Sequence, residues 1–495
     1  MMTPTASSDT LITPSSPVRV SKSTPKPTSM AMEMDLLSPA ESPPPAISKL
    51  LREASDITWL ESQESKKGQI VLVRRRGRFR LLHQQQFKNS LLAGVGYLEL
   101  ANAADFAANV WNEIPVPKFA AVLMGIGGTL ALGMVFVVIY DFRLSWINVK
   151  LLRAERARLQ RLRQYHDKNA ELVRLIDSRL GVGMREIGTE VIDRIVMDVL
   201  MGFGSVLVGV GTLMAIGGAN PRVFKASNLL SGYIGNSLAA IFGLVNAIWS
   251  VYLFYRFHMH DVAASAREPS DDIRRRLHTR FHRFQWHAGI NGFNGIVAGA
   301  ASMVTAKHWW GYVVLIPCII SLVLCNYFWR IKLGYDRPLL GHALPTEIQV
   351  TPLIEDLQYV IVMQRALADP EHALPQAIVQ PKSLDSILRF IVRENMLETY
   401  CESLARDKST RHLLAAFPSL DASPDQINVS LDTLFSLPPS HLDPILKHAK
   451  KFLRTTGVRV FTHRERYLLE LLGYAICRDH KSATTTTRND TIEHA

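Results

Sequence analysis

Apolar positions gather in blocks between Leu91 and Trp329, with polar stretches on either side. A hydrocarbon core about 30 Å thick needs about 20 apolar residues at 1.5 Å per residue. Phe119 to Tyr140 meets that length without a charge. Ile195 to Gly217 meets it with one, Asp198, near its start. Leu229 to Tyr255 qualifies and ends in Trp249, Tyr252, Phe254 and Tyr255, side chains that favour a membrane interface. Ala288 to Ala306 is rich in Gly and Ala and less apolar. Gly311 to Trp329 is strongly apolar and carries Pro317, a kink that neighbouring helices can satisfy. The pattern predicts spanning helices at 119–140, 195–217, 229–255, 288–306 and 311–329.

The block at 91–111 is long enough but holds Glu99 and Asp105. On a helix, Glu99, Asn102, Asp105 and Asn109 recur every three or four residues and make one polar stripe. Leu98 and Phe106 belong to the apolar remainder. Such a helix either spans with its stripe turned inward or lies flat at the interface. Charge order favours spanning. Cytoplasmic loops are enriched in Lys and Arg. Arg74, Arg75, Arg76, Arg78 and Arg80 precede this block, and 141–190 is densely basic. Only if 91–111 crosses do both basic regions share the cytoplasmic side.

The predicted class is therefore an all-α, polytopic transmembrane helical bundle. It has about six spans in three hairpins, with both termini cytoplasmic. The expected order is a disordered Ser/Pro-rich tail (1–65), a basic juxtamembrane segment (66–90), the bundle (91–330), a cytoplasmic helical region (331–480) and a polar tail (481–495). The first residues lack the apolar run of a signal peptide, and Thr-Pro and Ser-Pro pairs there resemble proline-directed kinase sites. Small residues repeat every fourth position at Gly125, Thr129 and Gly133, at Gly235, Ala239 and Gly243, and at Gly295 and Gly299. Such faces predict close helix packing in lipid. Helical spacing continues at 146–180, 352–367, 383–404, 442–453 and 464–477, the last behind a Thr462/Glu465 capping signature.

Composition supports the membrane reading. Apolar residues are 47 % and charged residues 20 %, against about 25 % charge in soluble domains. The net charge of +12 sits beside apolar blocks, which points to a membrane surface rather than nucleic acid. The segment 273–287 sharpens this. Ile273, Leu277, Phe281 and Phe284 share one helix face, and Arg274, Arg275, Arg276, Arg280 and Arg283 fill the others. That is the pattern of a basic helix on anionic lipids of the cytoplasmic leaflet.

Chemistry is sparse. The four cysteines form no Cys-x-x-Cys pair, so buried thiols are expected rather than zinc or disulfides. His278 and His282 are spaced to share a metal, but the His-x-x-His-His boxes of membrane di-iron enzymes are absent. The Pro-x-Asp/Glu-x-x-Lys/Arg motif of mitochondrial carriers occurs once, in a loop. No catalytic, cofactor-binding or metal-ligating set is assigned. The leading expectation is a non-catalytic membrane organiser or adaptor with cytoplasmic protein partners. The second is a channel or transporter using the stripe Glu99, Asn102, Asp105 and Asn109, since carboxylates inside a span are costly and mark function by default. A histidine-metal enzyme is third.

Overall fold

The computed structural model describes residues 70–493 apart from 76–77, 83, 85, 90–93, 112–115, 267–269, 340–352, 370–382, 417–418 and 421–422. The expected tail, 1–65, lies outside the described residues. About 84 % of the structure is helical, so the all-α class holds. A small sheet is added to it.

Three strands come first: β1 (Ile70–Arg75), β2 (Arg78–Leu81) and β3 (Gln86–Phe87). The first expected span follows as α1 (Val95–Asn102), a 3-10 turn at Ala103–Asp105, and α2 (Phe106–Val110). Then comes α3 (Lys118–Tyr165), whose 48 residues measure about 72 Å. It therefore runs far past a hydrocarbon core of about 30 Å. Its outer half turns back at Asn169, whose side chain caps α4 (Ala170–Glu190). Leu159, Leu172 and Ile176 zip this hairpin together, the short helical extension that 146–180 predicts.

Helix α4 continues through a π-helical turn, Val191–Val196, into α5 (Met197–Ala215). The short α6 (Pro221–Ser227) leads through a second π-helical stretch, Asn228–Gly235, into α7 (Asn236–Ala266). Helix α8 (Asp271–Thr305) returns beside it, and α9 (Gly311–Phe328) ends in a third π-helical turn, Trp329–Leu333. Four of these continuous helices are long and apolar enough to cross a membrane: 118–165, 170–215, 221–266 and 311–333. Large apolar side chains on them and on α8 face outward, with Phe136 79 %, Phe293 69 % and Val251 68 % exposed. A soluble surface does not carry such a belt; lipid accommodates it. The expected spans at 288–306 and 91–111 are absent from those four. The first is the Gly/Ala-rich half of α8, and the second is broken and carries two acids.

Beyond the bundle lies a polar domain of β4 (Arg337–Pro338), α10 (Leu353–Ala368), α11 (Leu384–Arg393), α12 (Leu397–Arg406), β5 (Ser419–Leu420), β6 (Ser423–Val429), α13 (Leu431–Phe435), α14 (Pro439–Phe452) and α15 (Val458–Glu493). The expected helix at 383–404 is split at Asn395, which holds φ 51°, a left-handed conformation that Asn tolerates. The expected cap at Thr462 is not one. Helix α15 starts earlier, and the Thr462 hydroxyl donates to the Val458 carbonyl inside it. The capping box that does form is Ser430 with Thr433. Helix α15 runs on to Glu493 and takes in most of the expected polar tail, 481–495.

The sheet order is β2-β1-β6-β5, all antiparallel. Ile70 pairs with Val429 and Leu72 with Ile427, and Gln86 of β3 pairs with Pro338 of β4. The basic segment before the bundle is thus a structural part of the domain that follows it. Leu72, Phe257, Phe281, Phe284, Tyr400 and Phe461 lie in one core that joins domain to helices. All four cysteines are buried and free.

Two of the three small-residue faces make close contacts. A Cβ on Gly243 would meet the Gly295 carbonyl at 2.3 Å, and one on Gly299 would meet Ala240 Cα at 2.9 Å. The third expected face does not. Gly125 and Gly133 have nothing within 4 Å, and α3 packs instead through Gly127 and Gly128, against Ala104 and Gly209. Gly243→Ala should therefore lower stability by about 1–3 kcal/mol, while Gly133→Ala should change it by less than about 0.5 kcal/mol. Thermal unfolding in detergent micelles reads both.

Candidate functional site

The broken first span is the candidate site. Its described part is eight, three and five residues of α-, 3-10 and α-helix, about 25 Å in all. It packs among α3, α5, α7 and α9, and irregular backbone at membrane depth needs such protein cover.

The stripe turns inward. Glu99, Asn102 and Asp105 are each at most 2 % exposed, and Asn109 is half-buried. Tyr312 of α9 donates its hydroxyl to Asp105 Oδ1 at 2.7 Å. Asn109 Nδ2 reaches Asp105 Oδ2 at 2.9 Å and Tyr312 Oη at 2.7 Å. Ser205 of α5 donates to Asn102 Oδ1 at 3.1 Å. Ser302 lies beside Glu99, whose Oε2 is buried without a hydrogen-bond partner. Leu98, expected toward lipid, is instead fully buried against α5 and α7, while Phe106 is 37 % exposed. Neighbours pack against Leu98 as well as against the stripe, while Tyr97 and Leu100 of α1 are 38 % and 59 % exposed.

At the polar-domain end stands Arg194, 2 % exposed. Its Nη1 donates to both Glu190 oxygens at 3.1 and 2.9 Å, and its Nη2 to Asp141 at 2.8 Å. Asn148 donates to Glu190 at 3.2 Å and to the Lys88 carbonyl at 2.8 Å, which anchors the strand region to α3.

A second buried network lies outside the spans. Arg337, just after the last span, makes bidentate contacts to Glu155 (2.9 and 2.6 Å) and Glu186 (2.9 and 2.6 Å). Arg185 is bidentate to Glu470 of α15, both bonds 2.8 Å, and donates to Tyr335 Oη at 2.7 Å. Tyr335 Oη in turn donates to Glu186 at 2.9 Å. Burial acts to raise the Glu470 carboxyl, but Arg185, helped by Arg280, wins and holds it below the usual carboxylate range. Burial also lowers the Arg280 guanidinium to about 10 despite Glu470 nearby.

The basic helix 273–287 is placed differently from the lipid-surface expectation. Ile273, Leu277, Phe281 and Phe284 are buried in protein, with Phe281 against Gly473 of α15 and Phe284 stacked 4.0 Å from Phe257. No apolar face is left for a leaflet. Arg280 is buried and donates to the Leu333 carbonyl, and Arg276 pairs with Asp272 and Glu465. Arg274 pairs with Asp271 and is exposed, as are Arg275 and Arg283. His278 and His282 stack at 5.6 Å but turn to Asp261 and Trp286. Among the described residues no group of three or more His, Cys, Asp or Glu is placed to hold a metal ion.

Sequence reasoning missed Tyr312, Ser205, Arg194 and the Arg185–Glu470 and Arg337–Glu186 pairs. The available signal was weak: Asp141 and Asp198 sit at the edges of apolar runs, where a buried partner is needed. No family model, curated protein or solved structure matches the chain, so its own geometry carries the functional reading.

Arg185→Ala should destabilise the protein by about 3–5 kcal/mol, because it strands a fully buried Glu470. Since the folded Glu470 value is depressed, its contribution is complete above the unfolded value of about 4.3 and is lost as pH falls through the folded one. Unfolding temperatures of wild type and Glu470→Gln across acidic pH check this: the two curves should converge as pH falls.

Proposed function

We propose that this protein is a transporter or channel that moves a small cation, or protons, through the interior of its bundle. The observation that carries the reading is the broken span itself. It points two carboxylates, Glu99 and Asp105, into a protein interior, with the α-helix tightened to a 3-10 turn at Ala103–Asp105. Transport sites at membrane depth are commonly built on interrupted helices, and buried intramembrane acids line ion paths. The π-helical turns in three neighbouring helices add local backbone freedom of a kind frequent at functional sites. The organiser reading asks for a domain free to dock elsewhere; here the polar domain is spent on binding its own membrane helices.

The proposal includes six crossings with both termini cytoplasmic. Two pairings support an even count. Strand β1 precedes the bundle and β6 follows it, yet they share one sheet, and β3 and β4 repeat this at closer range. The ends of the bundle therefore lie on one side. With α3, α4–α5, α6–α7, α8 and α9 as five crossings, 91–111 supplies the sixth. The cytoplasmic assignment rests on the positive-inside bias.

Two measurements test this. In liposomes, wild type should pass a cation or proton current that Glu99→Gln/Asp105→Asn lowers at least tenfold while keeping the same unfolding temperature; equal flux in both would remove the stripe from the path. The Asn428-Val-Ser430 and Asn489-Asp-Thr491 sequons should stay bare in endoplasmic-reticulum microsomes. A glycosidase-sensitive shift lost in Asn428→Gln would place the C-terminus in the lumen.

A further inference from the structure

A small cavity of about 50 Å³ opens where the first span begins, room for about three waters. Thr189 and Asp193 border it from α4 and its π-helical turn, Asn291 from α8, and Asn326 and Trp329 from the end of α9. Its wall carries polar atoms that no protein group satisfies. Asn326 is 7 % exposed, and neither its amide nitrogen nor its amide oxygen has a hydrogen-bond partner. Thr189 Oγ1 is likewise unpaired, and Asp193 lies beside the Trp249 indole. Buried polar groups left this way cost about 1–3 kcal/mol each, and Thr189 and Asn326 border the same space as the Asp193 side chain.

Charge indicates which ligand. Arg194 also borders the cavity, but its Nη groups donate to Glu190 and Asp141. Asp193 and Asp198 add two more acids nearby, and Asp198 is 2 % exposed with neither oxygen hydrogen-bonded. Asp193 is the carboxylate that lines the cavity, while Arg194 donates to Glu190 and Asp141 and Arg185 to Glu470. The unsatisfied acceptors are carboxylate, amide and hydroxyl oxygens, a hard donor set. Only one carboxylate lines the cavity, which suits a single positive charge better than a divalent ion with its demand for several acids.

We propose that this cavity binds one sodium or potassium ion through Asp193, Thr189 and Asn326, with water completing its shell. The cavity borders Val95, and Glu99 stands one turn deeper on the same helix. Glu99 is the next acid inward, with Ser302 of α8 beside it. The site is the inner entrance of the polar column. It rests on the transport reading for its purpose, though not for its binding.

The test uses full-length protein in lipid nanodiscs, with sodium or potassium chloride replacing choline chloride at constant ionic strength. Unfolding temperature and intrinsic tryptophan fluorescence are read together. The expected result is a saturable upward shift in unfolding temperature with one alkali ion over choline. Asp193→Asn should abolish it, Asn326→Ala should weaken the apparent affinity at least tenfold, and Gly133→Ala should leave it unchanged. If Asp193→Asn does not fold, Thr189→Val and Asn326→Ala carry the test. The same curve in all three salts, or a saturable shift that survives these variants, would overturn the site and leave a water-filled cavity. Cation-specific binding without flux in liposomes would sink transport and keep the site; flux without such binding would do the reverse.

Discussion

The structure depends on taking charged groups out of water only in matched sets. Arg337 with Glu155 and Glu186, and Arg185 with Glu470, are buried within a few per cent of completely. Desolvating such ions costs several kcal/mol each, and their mutual attraction offsets this only with good geometry. The bidentate contacts supply that geometry. Their partners come from α3, α4, the segment after the last span, and α15. Each pair therefore fixes the angle between a membrane helix and the polar domain, and an alternative docking would leave a guanidinium stranded. The value of the network lies in specifying one arrangement more than in net stability.

The same rule shapes the membrane interior with weaker groups. Asp105 is held by Tyr312 and Asn109, Asn102 by Ser205, and Asn291 by Asn246 at 3.0 Å. Helices in lipid gain nothing from apolar burial against one another. Close backbone approach at Gly243 and Gly295, and polar pairs at such positions, hold the bundle instead. Where pairing is incomplete, at Glu99 on the first span, at Asp198 of α5 and around Asn326, the structure departs from its own rule.

The long apolar runs were legible because bilayer thickness sets a length that few other segments reach, and the inward turn of Glu99, Asn102 and Asp105 was legible from their spacing. The sheet was not. Ile70–Arg75 is a short alternating stretch among arginines, and its partner lies at the far end of the chain, beyond any local pattern. The face of Ile273, Leu277, Phe281 and Phe284 was read correctly as apolar but assigned the wrong cover. Periodicity reports that a face is buried, never by what; here α7 and α15 take the place of lipid. Leu98 was misplaced for a related reason. The exposed side of that turn runs through Tyr97 and Leu100 instead, and Leu98 faces α5 and α7. The buried Arg–Glu pairs could not be told from solvated charges, since both occur in helices of mixed charge.

The pairing of β1 with β6 also sets a timetable for making the protein. Strand β1 leaves the ribosome before any span, with both edges unsatisfied. Ile70 meets Val429 only after roughly 360 further residues, which at about 5–20 residues per second takes about 20–70 s. A β2 hairpin can cover one edge early; the other stays open through the insertion of the whole bundle. Unpaired edges of this kind template wrong partners. Arg74, Arg75 and Arg80 on the hairpin are exposed, and charge on a waiting edge is a means of keeping it soluble. The basic residues beside the first span then serve twice in time: first as guards of an unfinished sheet, later as part of the finished surface.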